Sequence, residues 1–385
     1  MLTKRVKRLN ESMTIAISTL ARNLKAQGKD VLSFSAGEPD FDTPEIIKEE
    51  AIKAIKNGFT KYTAVAGIPE LLDAISKKLE RDNSLVYKPQ NIITSNGAKH
   101  SLFNLFQSLI EHGDEVIIPA PYWVTYPELV RYSGGIPITV DTNDESGFKI
   151  NAKQLRDAIT PRTKMLILTT PSNPTGSVYS KEELKEIAEV LKDTDIFVCS
   201  DEMYEKLIYD KEFVSVASIN NDMFKRTITV NGLSKSVAMT GWRFGYLATP
   251  NDELINAMKK LQSQSASNIN SITQHAAIAG LDGRADKEIE FMRKEFQKRR
   301  DLAVELINGI DGLSVVKPDG AFYLFINIKN VSNDSMKFSK ELLAQKGVAV
   351  IPGIGFGSEG YIRFSFATDE KSIVEGIKRI KEFVS

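Results

Sequence analysis

Residues 231–245 read NGLSKSVAMTGWRFG. The run in front of them, RTITV (226–230), has the β-branched composition of a buried strand, and RFGYLAT (243–249) reads as another. Between the two lie Lys235, in a loop of small residues, and Arg243 further on. Taken alone, such a lysine is a solvated loop residue and such an arginine a surface one. Their place at the mouth of a sheet takes its meaning from the chain around them.

From about residue 45 to 285, strand-like runs alternate with helical patterns. The strands are expected at 91–96 (NIITSN), 114–120 (DEVIIPA), 164–170 (KMLILTT), 196–201 (IFVCSD), 227–232 (TITVNG) and 244–249 (FGYLAT), with helices at 98–111, 181–193 and 252–265 among those between them. Alternation of this kind predicts an α/β fold, a mostly parallel sheet covered by helices on both faces. A long charged helix over 287–310 ends the pattern. Strands at 321–328 (AFYLFINI), 347–353 (GVAVIPG) and 361–367 (YIRFSFA) around a helix at 335–346 then read as a smaller α+β domain. The expected division is 1–45 as an N-terminal arm and part of the small domain, 46–285 as the large domain and 286–385 as the small one.

Composition narrows the function. The 385 residues are 42% hydrophobic and 26% charged, ordinary globular material, and Lys+Arg and Asp+Glu both total 50. Nothing in that balance calls for a nucleic acid. The single cysteine, Cys199, cannot form an internal disulfide or a thiolate metal cluster, and it suits a reducing compartment. His100, His112 and His275 are scattered, so no metal site is expected. The N-terminal stretch MLTKRVKRLNESMTIAISTLA sets basic residues before an apolar run, but Asn10, Glu11 and the interleaved Ser and Thr break it. Neither a signal peptide nor a membrane span is expected, and the sequon at Asn10 is read as chance. The expected location is the cytoplasm.

In open α/β sheets ligands bind beyond the carboxyl ends of the strands. The first expected strand ends in SNGAKHS, where Gly97 opens a helix and Gly97, Ala98 and Lys99 can offer backbone N–H groups to an anion. Next comes PYWVTYP, with Trp123 as a flat apolar platform, a residue that alone reads as core. PSNPTG holds Asn173 in a rigid turn. Asp201 follows an apolar run, where a helix cap is an equal reading, and Tyr204 lies three residues on. Lys235 and Arg243 complete the set. An anion at a helix N-terminus beside an arginine, a ring against Trp123, an acid at one ring edge and an amine at the other describe pyridoxal phosphate held as a Schiff base.

The sequence here resembles the class I aminotransferases of the fold-type-I pyridoxal-phosphate family, most nearly the prokaryotic aspartate aminotransferases. The matching blocks are AGEPDFDTP (36–44), KYTAVAGIPELLDAI (61–75), GDEVIIPAPYWVTYPELV (113–130), PSNPTGSVYS (171–180), SDEMYEKLIY (200–209), NGLSKSVAMTGWRFGY (231–246), PDGAFYLF (318–325) and YIRFSFAT (361–368). The likeness runs from about residue 5 to the C-terminus. It implies a seven-stranded type of sheet, pyridoxal 5′-phosphate as cofactor and a homodimer with shared sites, without nucleic acid or membrane partners.

The resemblance also implies roles. Lys235 would form the Schiff base and then act as general base, and Asp201 would pair with the pyridine nitrogen. Tyr204 and Asn173 would bond the cofactor's phenolic oxygen, Trp123 would stack on its ring, and Arg243 with Gly97, Ala98 and Lys99 would hold its phosphate. Arg363 would grip the substrate α-carboxylate as a bidentate fork, with Gly37 allowing close backbone approach. Tyr62 would reach the phosphate of the neighbouring subunit. Lys99, with Ser12 and Thr14 of the arm, would recognise the second carboxylate of aspartate. Some relatives that also aminate prephenate carry KPS where this chain has Asn10, Glu11 and Ser12, which counts against that second activity. The implied reaction is L-aspartate with 2-oxoglutarate, by a ping-pong route. The rivals are an aminotransferase for aromatic or neutral amino acids or prephenate, and a cofactor-binding regulator, which would need a DNA-binding domain ahead of residue 5.

Overall fold

The computed structural model describes residues 2–10 and 13–385. In chain order its strands are β1 (Leu32–Ser33), β2 (Ile92–Asn96), β3 (Glu115–Ala120), β4 (Ile136–Asp141), β5 (Thr163–Thr169), β6 (Phe197–Asp201), β7 (Thr227–Gly232), β8 (Phe244–Ala248), β9 (Ser314–Val315), β10 (Tyr323–Asn327), β11 (Val348–Ala349), β12 (Ile351–Pro352) and β13 (Tyr361–Ser365). Seven of them form one sheet in the order β2-β8-β7-β6-β5-β3-β4. From β4 to β7 every pairing is parallel, while β8 runs antiparallel to both its neighbours. This is the expected α/β fold.

The strand interiors are apolar because both faces are covered, as parallel sheets require. Val116, Ile118, Met165, Ile167 and Cys199 pack into one core cluster with Leu102, Leu105 and Phe106 of the helix Ala98–Leu109. Their sequence neighbours Ile117, Leu166, Leu168 and Val198 join a second cluster with Leu184, Ile187 and Leu191 of the helix Lys181–Leu191. The side-chain period of two thus sends alternate residues to opposite faces. The second helix is started by a capping box: Ser180 accepts from the Glu183 N–H, and Glu183 accepts from the Ser180 N–H, a device that stabilises a helix by about 1 kcal/mol.

Expectation and structure differ in two ways. The two-residue strands β1 and β9 and the strand β4 were not anticipated, and of these β4 is the longest. It lies at the sheet edge, is half-exposed and carries Pro137, a residue tolerated at an edge, so its pattern is weaker than that of the buried strands. The run expected as one strand at 347–353 is divided. Val348 and Ala349 pair parallel with β1, whereas Ile351 and Pro352 pair antiparallel with β13, in a four-stranded sheet of order β12-β13-β10-β9. The N-terminal helix Met13–Ala26 lays Ile17 and Ala21 against Leu343, Ala349, Ile351 and Phe356. Among the described residues no helix is long and apolar enough to cross a membrane.

Candidate active site

The antiparallel run of β8 explains the opening stretch of sequence. Strands β2 and β7 end at the same edge of the sheet, and β8, running the other way between them, begins there. Arg243 directly precedes the first residue of β8, and Lys235 follows the last residue of β7. The loop between them brings both cations to one edge. A cavity of ≈ 360 Å³ opens there, lined among others by Lys99, Trp123, Asn173, Asp201, Lys235 and Arg363.

Lys235 donates from Nζ to the Gly37 carbonyl at 2.5 Å, drawing the segment 36–44 over the loop. By surface area the residue is half-buried, yet its amine faces protein on most sides, and that local crowding governs its proton affinity. Burial pushes its pKa down to about 8; the Glu38 carboxylate opposes the shift, while Arg363 and Arg243 add to it.

Asp201 ends β6 and is buried. Its Oδ2 accepts from the Tyr126 hydroxyl at 2.7 Å, and its Oδ1 accepts from the Met203 N–H at 3.3 Å. Burial raises its pKa; the Tyr126 bond and the Lys235 charge pull the other way. The phenol of Tyr126 lies 2.8 Å from Thr169 Oγ1. Because its one proton goes to Asp201, the threonine must be the donor in that second bond. Asp201 is therefore held through a directed chain.

Arg363 is 2% exposed on β13. It donates from Nη1 to Asn173 Oδ1 at 2.9 Å and from Nη2 to the Ser35 carbonyl at 2.8 Å. Its guanidinium lies 4.4 Å from the ring centroid of Tyr323, whose hydroxyl is 2.8 Å from that of Tyr204. Among the described residues the buried Arg363 Nε has no hydrogen-bond partner. Buried guanidinium N–H groups are costly unpaired, so the position suits an anionic ligand.

At the opposite side, the helix Ala98–Leu109 begins at the cavity. The Gly97 N–H donates to the Ser95 carbonyl at 2.7 Å, so the expectation of three free N–H groups is corrected: Gly97 is engaged, and only Ala98 and Lys99, at the helix start, remain without a partner inside the helix. Gly97 serves differently. Its φ is +80°, and a Cβ there would meet Arg243 Nη2 at 2.2 Å, so only glycine lets the guanidinium approach. Arg243 itself holds φ at +59°, a left-handed conformation that a bulky residue adopts only when its surroundings fix it. It donates from Nη1 to the Thr240 carbonyl at 2.8 Å. Lys99 is exposed as a residue, but its ammonium stands 4.9 Å from the Trp123 ring centroid, where desolvation and then the Arg243 charge lower its pKa. Trp123 meets Tyr126 edge to face at 5.4 Å.

Gly37, Ala98, Lys99, Trp123, Asn173, Asp201, Tyr204, Lys235, Arg243 and Arg363 thus all line one cavity. Tyr62 does not; it is 91% exposed. Ser12 and the side chain of Thr14 lie outside the described residues. Tyr126, Thr169 and Tyr323 were not anticipated. Tyr126 stands in PYWVTYP close to Trp123, but its ring reads as apolar there, and Tyr323 is masked by the mostly apolar run AFYLFINI.

Four cationic side chains (Lys99, Lys235, Arg243, Arg363) face one carboxylate, Asp201, among these lining residues. That imbalance fits a ligand set bearing several negative charges, and the buried amine of Lys235 fits a carbonyl partner. The family described as aminotransferase class I and II matches residues 29–380. The chain is 47% identical to the aspartate aminotransferase of Bacillus sp. (strain YM-2), covering 100% of this chain and 99% of the relative. It is 44% identical to the aspartate/prephenate aminotransferase of Nitrosomonas europaea, covering 100% of both. Among solved structures, the aspartate aminotransferase of Thermus thermophilus with maleate superposes with a TM-score of 0.96 at 41% identity, over 99% of each chain. The chain belongs to the class I and II aminotransferase family.

Proposed function

We propose that this chain is a pyridoxal 5′-phosphate-dependent aspartate aminotransferase that moves the amino group of L-aspartate to 2-oxoglutarate in two half-reactions. The observation that carries the proposal is one cavity holding a buried amine with its pKa lowered to about 8, a buried carboxylate and a buried arginine. The names of the relatives support the choice of aspartate.

The cofactor, when bound, supplies an electron sink for the pair left on a substrate α-carbon. The residues present fit it. Ala98 and Lys99 N–H groups with Arg243 would hold its phosphate, Trp123 its ring face, and Tyr204 and Asn173 its ring oxygen. Asp201 would face the ring nitrogen, where a proton would favour the ionised carboxylate against the cost of its burial. Lys235 would anchor the cofactor covalently. Arg363 would orient the substrate α-carboxylate, leaving the α-hydrogen within reach of Lys235 Nζ. A lysine with a pKa near 8 is neutral often enough to take that proton at physiological pH and to return one to the incoming keto acid.

The seven-stranded and four-stranded sheets support reading residues 46–285 as a cofactor-binding domain and 286–385 as a smaller one. We further propose a cytoplasmic homodimer in which the exposed Tyr62 reaches the cofactor phosphate of the second copy. Prephenate is a weaker second reading. It rests on the aspartate/prephenate relatives, but here Asn10 is tied to Glu128 through its N–H at 2.8 Å and its Nδ2 at 3.1 Å. Turnover of L-aspartate with 2-oxoglutarate, beside a panel of donors and glutamate with prephenate, tests the assignment. A donor other than aspartate used with higher kcat/KM would overturn it.

A further inference from the structure

Tyr323 on β10 is fully buried from solvent and lines the cavity. Three contacts meet at this side chain. Its hydroxyl lies 2.8 Å from the Tyr204 hydroxyl. Its ring carries the Arg363 guanidinium 4.4 Å from the centroid. Its hydroxyl also lies so close to Gly37 that a Cβ there would meet it at 3.0 Å, and Gly37 is the residue whose carbonyl takes the Lys235 bond. A single phenol therefore joins the candidate substrate arginine to the candidate cofactor tyrosine.

A phenol carries one proton, so two hydroxyls 2.8 Å apart share one bond, and the donor cannot serve elsewhere. If Tyr204 donated to Tyr323, nothing would remain for it to give inside the cavity. The surroundings favour the reverse. Burial raises the pKa of both phenols and the Arg363 charge opposes that at both, but the guanidinium lies on the Tyr323 ring face, which makes Tyr323 the readier donor, while Tyr204 is held well above the usual tyrosine value.

We propose that Tyr323 is a positioning residue: its hydroxyl donates to Tyr204, orienting the Tyr204 O–H toward the cavity and strengthening it as a donor there, while its ring face holds Arg363 in place. This inference rests on the reading of the site as a cofactor and dicarboxylate site. It implies coupling between the two ligands, since an anion on Arg363 offsets the cation that strengthens the Tyr323 donor, and such coupling is reciprocal.

The test uses the protein loaded with pyridoxal 5′-phosphate. Two quantities are read: the pH midpoint of the bound cofactor's visible absorption, and the Kd of maleate, a dicarboxylate with no amino group to transfer. Tyr323→Phe keeps the ring and removes the hydroxyl. It should raise the midpoint by up to about one unit, the scale of one hydrogen bond, and leave the maleate Kd within about threefold. Tyr323→Leu should in addition weaken maleate about tenfold, through loss of the ring under the guanidinium. In a Tyr204→Phe background, Tyr323→Phe should no longer move the midpoint. A midpoint unchanged or lowered in Tyr323→Phe, or one that still shifts without Tyr204, overturns the hydroxyl's role. Equal maleate affinity in the Phe and Leu variants overturns the ring's role. A wild-type chain that takes up no cofactor overturns the functional reading and this inference with it, and is told apart because the failure precedes any substitution.

Discussion

Lys235 Nζ and the Gly37 carbonyl are joined by a 2.5 Å hydrogen bond across 198 positions of sequence. The bond holds the amine at the cavity with no carboxylate in hydrogen-bond contact among the described residues, so burial outweighs the Glu38 charge and lowers its proton affinity. The neutral amine is the nucleophile, and its fraction grows as pH rises through the folded-state value. With the cofactor removed, reaction of Lys235 with an amine reagent should rise with a midpoint near pH 8, instead of near the ordinary lysine value of 10.5. Peptide mapping of the modified protein across pH reads this directly. Lys235→Ala should lose turnover by several orders of magnitude and still fold.

Asp201 is predicted to act on the cofactor rather than to cap the chain turn after β6. Its bond to the Met203 N–H is long, at 3.3 Å, while its bond to Tyr126 is short, at 2.7 Å, so the backbone is the lesser of its two partners. Asp201→Ala should weaken cofactor binding and slow turnover far more than Asp201→Glu does. Equal, mild effects from both, with about 1 kcal/mol of lost stability, would mark a cap.

Glu202, next in sequence and fully buried, accepts at Oε1 from Ser200 Oγ and Ser215 Oγ, each at 2.8 Å, and from the Val216 N–H at 3.1 Å. Burial, with Glu205 adding, raises its pKa from 4.5 to about 7. The folded state thus binds this proton more tightly than the unfolded one, so its stability contribution is full below about pH 4.5 and is lost as pH rises through about 7. Glu202→Gln keeps an acceptor oxygen and removes the titration. The melting temperature of the Gln variant relative to wild type should be more favourable at pH 8 than at pH 5. A pH-independent difference would contradict the shift.

Tyr62 presents 91% of its surface to solvent, which a residue completing a neighbour's site requires in the single chain. Mixed dimers of Lys235→Ala and Tyr62→Ala subunits, each inactive or nearly so alone, should regain activity, because one of the two sites in a hybrid carries neither change. Proven subunit exchange without recovery would sink the shared-site assignment.

How far the sequence carries depends on what each residue needs. Strands β5 and β6 are legible because burial on both faces writes a continuous apolar run, whereas β4 at the edge alternates and is lost among loops. Lys235, Asp201 and Asn173 are legible only together: singly a loop lysine, a helix cap and a turn residue, they collect at or just beyond the ends of successive apolar strands. Tyr126 and Tyr323 are not. Their rings satisfy the apolar pattern, and only the fold shows that their hydroxyls bond Asp201 and Tyr204. The engaged Gly97 N–H depends on a local turn that no spacing rule reports.

Lys99 is the predicted selector for acidic substrates. Arg363, already bonded to Asn173 and Ser35, would account for one carboxylate in the proposed site, and a second cation must then meet the other. Arg243 is fastened to the Thr240 carbonyl and packed against Gly97, so it is committed to the helix start. Lys99 remains, its ammonium over the Trp123 ring and its place on the cavity wall. The competing role is neutralisation of the cofactor phosphate, which its N–H would also meet in the proposed site. The two separate by substrate. A hydrogen bond to a charged group contributes about 1.5–3 kcal/mol, so Lys99→Met should lower kcat/KM for aspartate roughly 10- to 100-fold, at about 1.4 kcal/mol per decade. Alanine, with no second carboxylate, should lose much less. If both substrates fall together, Lys99 serves the phosphate, and the preference for aspartate must come from elsewhere in the cavity.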